Sequence, residues 1–252
     1  MEKPYLIPIE SSLGHPESLI FIDGSLSERI DERIDERIDE RIDERIDERI
    51  YNPEDNRRWW QVIRQAGWQG AIYGLWWDRS NFSPSLEHLA QLETNAISYW
   101  HKHKHYVRRV GKSYLPKLIS EHSLTRVSLM GFSVGARIAY YTMRDWSEAQ
   151  ICLNNVLLLG GTIRRDIVRN WGTAASRLEG KLINIYNCED LVLTRFCQIL
   201  EWDRSPCGIK PISEEHEKIV NFDATALMKT AKYSPTNYLL VLQELIQQGY
   251  WT

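Results

Sequence analysis

The chain has 252 residues, 43% of them hydrophobic and 26% charged, ordinary figures for a folded protein with room for one large or two small domains. Its formal charge of −3 comes from one segment: residues 27–50 carry eleven acids and six arginines, and the rest has 25 Lys and Arg against 23 Asp and Glu. A body so close to neutral makes no electrostatic case for nucleic acid as the main partner, and no apolar run is long enough to span a bilayer.

Residues 1–18 are punctuated by Pro4, Pro8 and Pro16, compatible with a lead-in strand and a loop. Ser18 to Asp23 (SLIFID) is a short apolar run ending at Asp23-Gly24, which reads as a central strand stopping at a turn. Next comes SERI once and DERI five times, Ser27 to Ile50. As a helix it would be about 36 Å long. Every i,i+4 pair in it carries like charge, and isoleucine at every fourth position drifts by about 40° per step, so no face stays apolar. Two readings follow, a partner-binding arm or an insertion tolerated in a surface loop.

Asn52-Pro53 opens a helix that stops near Gly67, with Asn52 as N-cap and Pro53 at the first helical position. Gly70 to Asp78 (GAIYGLWWD) is a strand, and a long helical stretch from Pro84 is expected to bend near Gly111 or Pro116. Tryptophan is over-represented, with ten residues and the pairs Trp59-Trp60 and Trp76-Trp77, as large aromatic contacts in a core or beside a pocket require. Later strands are expected at Asn155–Gly160, Lys181–Tyr186 and Lys218–Phe222, with helices at Asp166–Leu178 and Pro235–Gln248. Strands with aliphatics on consecutive positions, alternating with helices, predict an α/β fold: a mainly parallel sheet covered on both faces, in one domain with the repeat inserted.

Between these lies Arg126–Arg137, RVSLMGFSVGAR. A buried-type strand drives into Gly131-Phe132-Ser133-Val134-Gly135 and a helical run follows, the context that gives G-x-S-x-G its meaning as a nucleophile elbow. Glycines two residues either side of Ser133 remove side chains that would collide where strand and helix converge.

The order strand–DG, strand–WWD, GFSVGAR, strand–LLLGG and strand–YNCED resembles the α/β-hydrolases. LMGFSVGARIAYY, NVLLLGGTIRRD with Trp171, and LEGKLINIYNCEDLVL are similar, more narrowly, to a branch that includes the transmembrane and coiled-coil domain-containing proteins. The resemblance spans roughly residues 18–240 apart from the repeat. It implies a serine hydrolase acting on an ester or lipid without a cofactor, through a triad in the order Ser, acid, His. Ser133 maps to the nucleophile and Asp190 to the acid, with Glu189 as local alternative and a helix-capping turn residue as the other reading of Asp190. The oxyanion hole would use N–H groups of Val134 and of Gly24 or Ser25. Asp78, at the end of the WWD strand, faces the same edge as a pocket wall.

The histidine should follow the last strand, and Asp223–Leu242 contains none. His216 precedes that strand. The base would then be His216, His15 from the loop before the first core strand, or Lys232 with a depressed pKa. Otherwise the protein is a hydrolase-like binder or scaffold without turnover. His101, His103 and His105 alternate with lysines; on a helix His101 and His105 share a face and His103 points away, and the run reads as a solvated basic face rather than a metal site. Cys152, Cys188, Cys197 and Cys207 have no C-x-x-C spacing and read as reduced thiols. The start, MEKPYLIPIESS, lacks the order of a secretory signal, so the expected location is cytoplasmic.

Overall fold

The computed structural model describes residues 2–24, 53–78, 93–191, 193–194, 205–228 and 235–251. The repeat at 27–50, Ser25, Cys197 and Lys232 lie outside the described residues. In chain order the elements are β1 (Tyr5–Glu10), β2 (Ser18–Ile22), α1 (Pro53–Ala66), β3 (Ala71–Trp76), α2 (Glu93–Arg109), a π-helical turn (Val110–Tyr114), α3 (Leu115–Glu121), β4 (Arg126–Phe132), α4 (Gly135–Arg144) and β5 (Cys152–Leu159). There follow α5 (Trp171–Ala175), β6 (Leu182–Tyr186), β7 (Ile219–Asp223), a 3-10 turn (Pro235–Tyr238) and α6 (Leu239–Gln247).

The strands form one sheet in the order β1-β3-β2-β4-β5-β6-β7. Six are parallel and β1 pairs antiparallel with β3 at one edge. Parallel pairing follows from burial on both faces: β2 is buried at every position, and β4 and β5 at all but their first. Side chains alternate between two cores. Val127, Leu129, Val156 and Leu158 face α2, α3 and α4 with Trp100, Val107, Val110 and Ile138. Met130, Phe132, Leu157 and Leu159 face α1 and α6 with Trp59, Ile63, Leu242 and Trp251. Trp59 fills the centre of the second core, 4.9 Å from Phe21 and 5.0 Å from Phe132 between ring centroids.

The bend expected near Gly111 or Pro116 is a π-turn over the first and a helix restart just before the second. Thr142 on α4 donates from its hydroxyl to the Gly111 carbonyl at 2.9 Å, satisfying backbone at the irregularity. The helix expected over Asp166–Leu178 is not continuous: a 3-10 turn at Ile167–Arg169 is separated from α5 by Asn170, which sits at φ 53°. A left-handed residue ends helical hydrogen bonding, and asparagine tolerates that conformation better than most. Likewise the C-terminal helix begins as a 3-10 turn and becomes α-helical only at Leu239.

The amino-terminal edge of the sheet is closed by Glu17. Its buried carboxylate accepts from the Ser128 hydroxyl and, at 2.9 Å, from Asn154 Nδ2. These inward-facing polar side chains are tolerated in central strands because each has a partner.

Candidate active site

Register places the functional residues at one edge. Phe132 pairs with Leu159, Leu159 with Ile185, Ile185 with Phe222, and Gly131 with Ile22. Ser133, Asp23-Gly24, Trp77-Asp78, Gly160-Gly161 and Asn187–Asp190 therefore all follow the carboxyl ends of parallel strands, where open α/β sheets gather their sites.

Ser133 carries the elbow geometry in its backbone. Its φ is 54°, a left-handed conformation that costs a non-glycine residue about 1–3 kcal/mol and persists only where the surroundings enforce it. The enforcement is visible. The Ser133 N–H donates to Leu159 O at 2.9 Å, and its carbonyl accepts from the Thr162 N–H at 3.4 Å and the Ala136 N–H at 3.3 Å. A Cβ on Gly131 would sit 2.6 Å from Ala136 Cα, and one on Gly135 would run into the Ile22 carbonyl. Gly24 presses on the turn from the other side, where a Cβ would collide with Gly135 N and lie 2.7 Å from the Val134 carbonyl carbon. Gly24 and Val134 are thus brought together beside Ser133, as an oxyanion hole built from them requires. Ser133 itself is 6% exposed.

Asp190 is buried and Glu189 is exposed, so of the two acids after β6 the former turns inward. Asp190 also behaves as a capping residue: its Oδ1 accepts the Leu193 N–H at 2.8 Å, and its carbonyl accepts from Thr194. The group that structure adds is Tyr238. Its ring lies 5.7 Å from Phe132 and 5.5 Å from Trp59, and its hydroxyl is driven far above the ordinary range by burial and by the Asp190 charge. A phenol so placed stays protonated and cannot serve as a base.

Neither His216 nor His15 is brought to the elbow. His216 lies three residues before Ile219, which pairs with Leu182 at the amino end of β6. The strand rise and three strand spacings put it on the order of 20 Å from Ser133. There its Nδ1 accepts the Lys218 N–H at 3.1 Å. His15 precedes β2 at that same end, accepts from the Glu17 N–H at 3.3 Å and sits against Trp68.

His103 reaches the carboxyl edge instead. His101 and His105 are exposed, as a solvated basic face requires, whereas His103 is buried, correcting that reading for one residue of the three. It packs 5.5 Å from Trp77 and 5.9 Å from Trp100. Trp77 in turn donates from Nε1 to Asp23 O at 2.8 Å. The helical period could have found it: Trp100, His103, Val107 and Val110 recur at i, i+3, i+7 and i+10 on one face. Burial and the Arg137 charge lower the His103 pKa to about 4, against the opposing influence of Asp78. Asp78 also accepts the Glu2 N–H at 3.3 Å, tethering the amino-terminal segment as it bounds this edge.

A pH dependence follows. The unfolded chain takes up the His103 proton near pH 6.5 and the folded chain only near 4, so this contribution to stability is whole above pH 6.5 and falls as pH drops through that window. Between pH 7 and pH 5 the loss should be about 2 kcal/mol. Urea melts at both values, repeated on His103→Gln, would check it: the variant should lose that much less.

Arg137, one turn after the serine, is 1% exposed. Its Nε donates to Thr162 Oγ1 at 2.9 Å, a terminal nitrogen donates to the Thr162 carbonyl, and the guanidinium lies 5.0 Å from the Trp100 ring centre. Since Thr162 donates to Ser133 O, Arg137 holds the loop after β5 against the elbow. Buried Cys207 closes the same loop, with its N–H on Ile163 O at 2.7 Å and its thiol pushed up to about 12 by burial. Among the described residues no group of three or more His, Cys, Asp or Glu is placed to hold a metal.

A mainly parallel sheet in this order, with a strained serine between β4 and α4 and an acid after β6, defines an α/β-hydrolase-fold protein. Within that class the chain belongs to the family described as protein of unknown function (DUF726), whose model matches residues 85–245. It is 29% identical over 126 residues to the uncharacterized membrane protein F35D11.3 of Caenorhabditis elegans, an alignment covering 48% of this chain and 20% of that protein. The chain thus spans about a fifth of that relative's length. Similar solved structures include a lipase-esterase related protein of Clostridium acetobutylicum (TM-score 0.47, 9% identity, 99% of this chain and 100% of that one). Another is a predicted CIB-like hydrolase of Thermoplasma acidophilum (0.45, 10%, 97% and 92%). The sheet order and the elbow carry the fold class, not these likenesses. Among the described residues no helix is long and apolar enough to cross a membrane.

Proposed function

We propose that the protein uses the hydrolase elbow as a binding site for a small ester- or acyl-bearing molecule and does not turn it over at the rate of a complete triad. Tyr238 carries this reading: among the described residues, the ring that packs against Phe132 within reach of the Asp190 charge is a buried phenol. Without a base the serine hydroxyl forfeits roughly 10²–10⁴-fold in rate. The narrower kinship with the transmembrane and coiled-coil domain-containing proteins belongs to this proposal, supported by GFSVGAR and GKLINIY. So does a cytoplasmic setting, supported by the free thiols of Cys152, Cys188 and Cys207. A protein partner recruited through the repeat at 27–50 is part of it too, supported by the segment's excess of acids.

A second reading keeps Ser133 as the nucleophile of a serine esterase or lipase-like hydrolase. It is favoured by the strained φ of Ser133, which a pure binding site does not need. Labelling with a fluorophosphonate probe decides between the two. Labelling no faster than that of Ser133→Ala is the expected result. Ser133-dependent labelling would establish the hydrolase reading, and His103→Gln, His216→Ala, His15→Ala and Lys232→Ala would then test each of those groups as the base.

A further inference from the structure

The helical run from Trp100 to Glu121 buries one face on the sheet and turns the other to solvent. Lys102, His105, Arg108, Arg109, Lys112 and Lys117 are all exposed. From Lys102 to Ser120 the sequence has six Lys or Arg and no Asp or Glu. His105, Arg108, Arg109 and Lys112 stand at i, i+3, i+4 and i+7, with Lys102 one turn before and Lys117 beyond the π-turn, so the cations form one stripe. It is about 22 Å long at the helical rise.

Like charges at this spacing repel, and little offsets the repulsion. Lys117 meets Glu121 at 3.6 Å, and Arg109 lies 5.7 Å from the ring centres of Tyr106 and Tyr114. Asp145, the acid facing Lys112 and Arg108, is engaged by Arg144 at 2.7 Å. Lys102, Arg108 and Lys112 make no ion pair among the described residues. The stripe begins at the carboxyl edge, where His103 meets Trp77, and runs away from the elbow's rim.

We propose that this face docks on an anionic lipid surface. One row of long, flexible cationic stems matches a plane of anionic headgroups and leaves behind it a remainder with 25 Lys and Arg against 34 Asp and Glu. A polynucleotide fits less well. The row lies on the outer face of a helix, and its aromatics are unavailable for stacking on bases: Tyr106 is buried and Tyr114 is half-buried beside Arg109. The proposal does not depend on chemistry at Ser133.

Co-sedimentation with vesicles tests it, using phosphatidylcholine alone and with about 30% phosphatidylserine. The protein should pellet only with the anionic vesicles and be released as salt rises from about 0.05 M to about 0.3 M. The triple variant Lys102→Gln/Arg108→Gln/Lys112→Gln should bind on the order of 100-fold more weakly, with its thermal midpoint unchanged. Should that variant lose its fold, Lys102→Gln and Lys112→Gln alone, at roughly fivefold each, supply the measurement. The proposal is overturned by no binding to anionic vesicles, by equal binding to neutral ones, or by folded variants that bind like the wild type. Displacement from vesicles by duplex DNA or RNA, at competitor phosphate below that of the lipid, would overturn it in favour of a polynucleotide partner.

Discussion

Gly135→Ala and Gly24→Ala are each expected to destabilise the protein by about 4 kcal/mol or more, or to leave no folded protein. A Cβ at either position meets backbone on a neighbouring segment, which cannot move aside as a flexible side chain would. At Gly135 the obstacle is the Ile22 carbonyl, with the Asp23 carbonyl carbon 3.2 Å away; at Gly24 it is the turn from Phe132 to Gly135. The end of β2 and the elbow are pressed together at these two residues, so one methyl group must separate β2 from β4 or unwind the start of α4. Gly14→Ala supplies the control. Gly14 has φ 106° with open space around it, so its substitution should cost only backbone strain, about 1–2 kcal/mol. Urea unfolding of the three variants makes the comparison. A Gly135→Ala protein within about 1 kcal/mol of wild type would show that the contact yields more easily than its geometry implies.

Arg137→Met should cost about 3 kcal/mol, the upper end of the range for a buried hydrogen bond to a charged donor. Methionine fills much of the volume beneath Trp100 but donates nothing, leaving the Thr162 carbonyl and hydroxyl without the guanidinium. Arg137→Lys should be nearly as damaging, because one ammonium cannot reproduce a planar fork reaching two oxygens of one residue. The variants can be compared by urea midpoint and by hydrogen exchange at Thr162. That amide bonds to Ser133 O and should exchange faster in both, as the loop after β5 loosens from the elbow. Unchanged exchange at Thr162 would mean that the loop is held by Cys207 instead.

Tyr238 and His103 show where sequence reading falls short. Tyr238 lies 48 residues from Asp190, and only the return of the chain over the second core sets it against Phe132 beside that acid. His103 sits between two lysines in a run of alternating basic residues, and read pair by pair its neighbours make it look solvated. The helix period that separates it from His101 and His105 is in the sequence; the tryptophans that enclose it come from two different elements. His216 illustrates the converse. Its position before the last strand was legible, but that this puts it at the wrong end of the sheet requires β7 to run parallel to β6.

Local chemistry by itself determined the strands buried on both faces, the elbow glycines and the presence of an acid after β6, while burial chose Asp190 over Glu189. Each is written into a few consecutive residues: aliphatics on successive positions, G-x-S-x-G between strand and helix, Asn-Cys-Glu-Asp at a strand end. Tertiary structure alone decided which charged and aromatic groups surround them. Arg137 reaching Thr162, Trp77 bonding Asp23 and Tyr238 beside Asp190 are contacts between residues 25 to 54 positions apart. Such contacts depend on the packing of whole elements, which local periodicity does not encode. The elbow was therefore legible as a shape, and its chemistry became readable only from the groups folded around it.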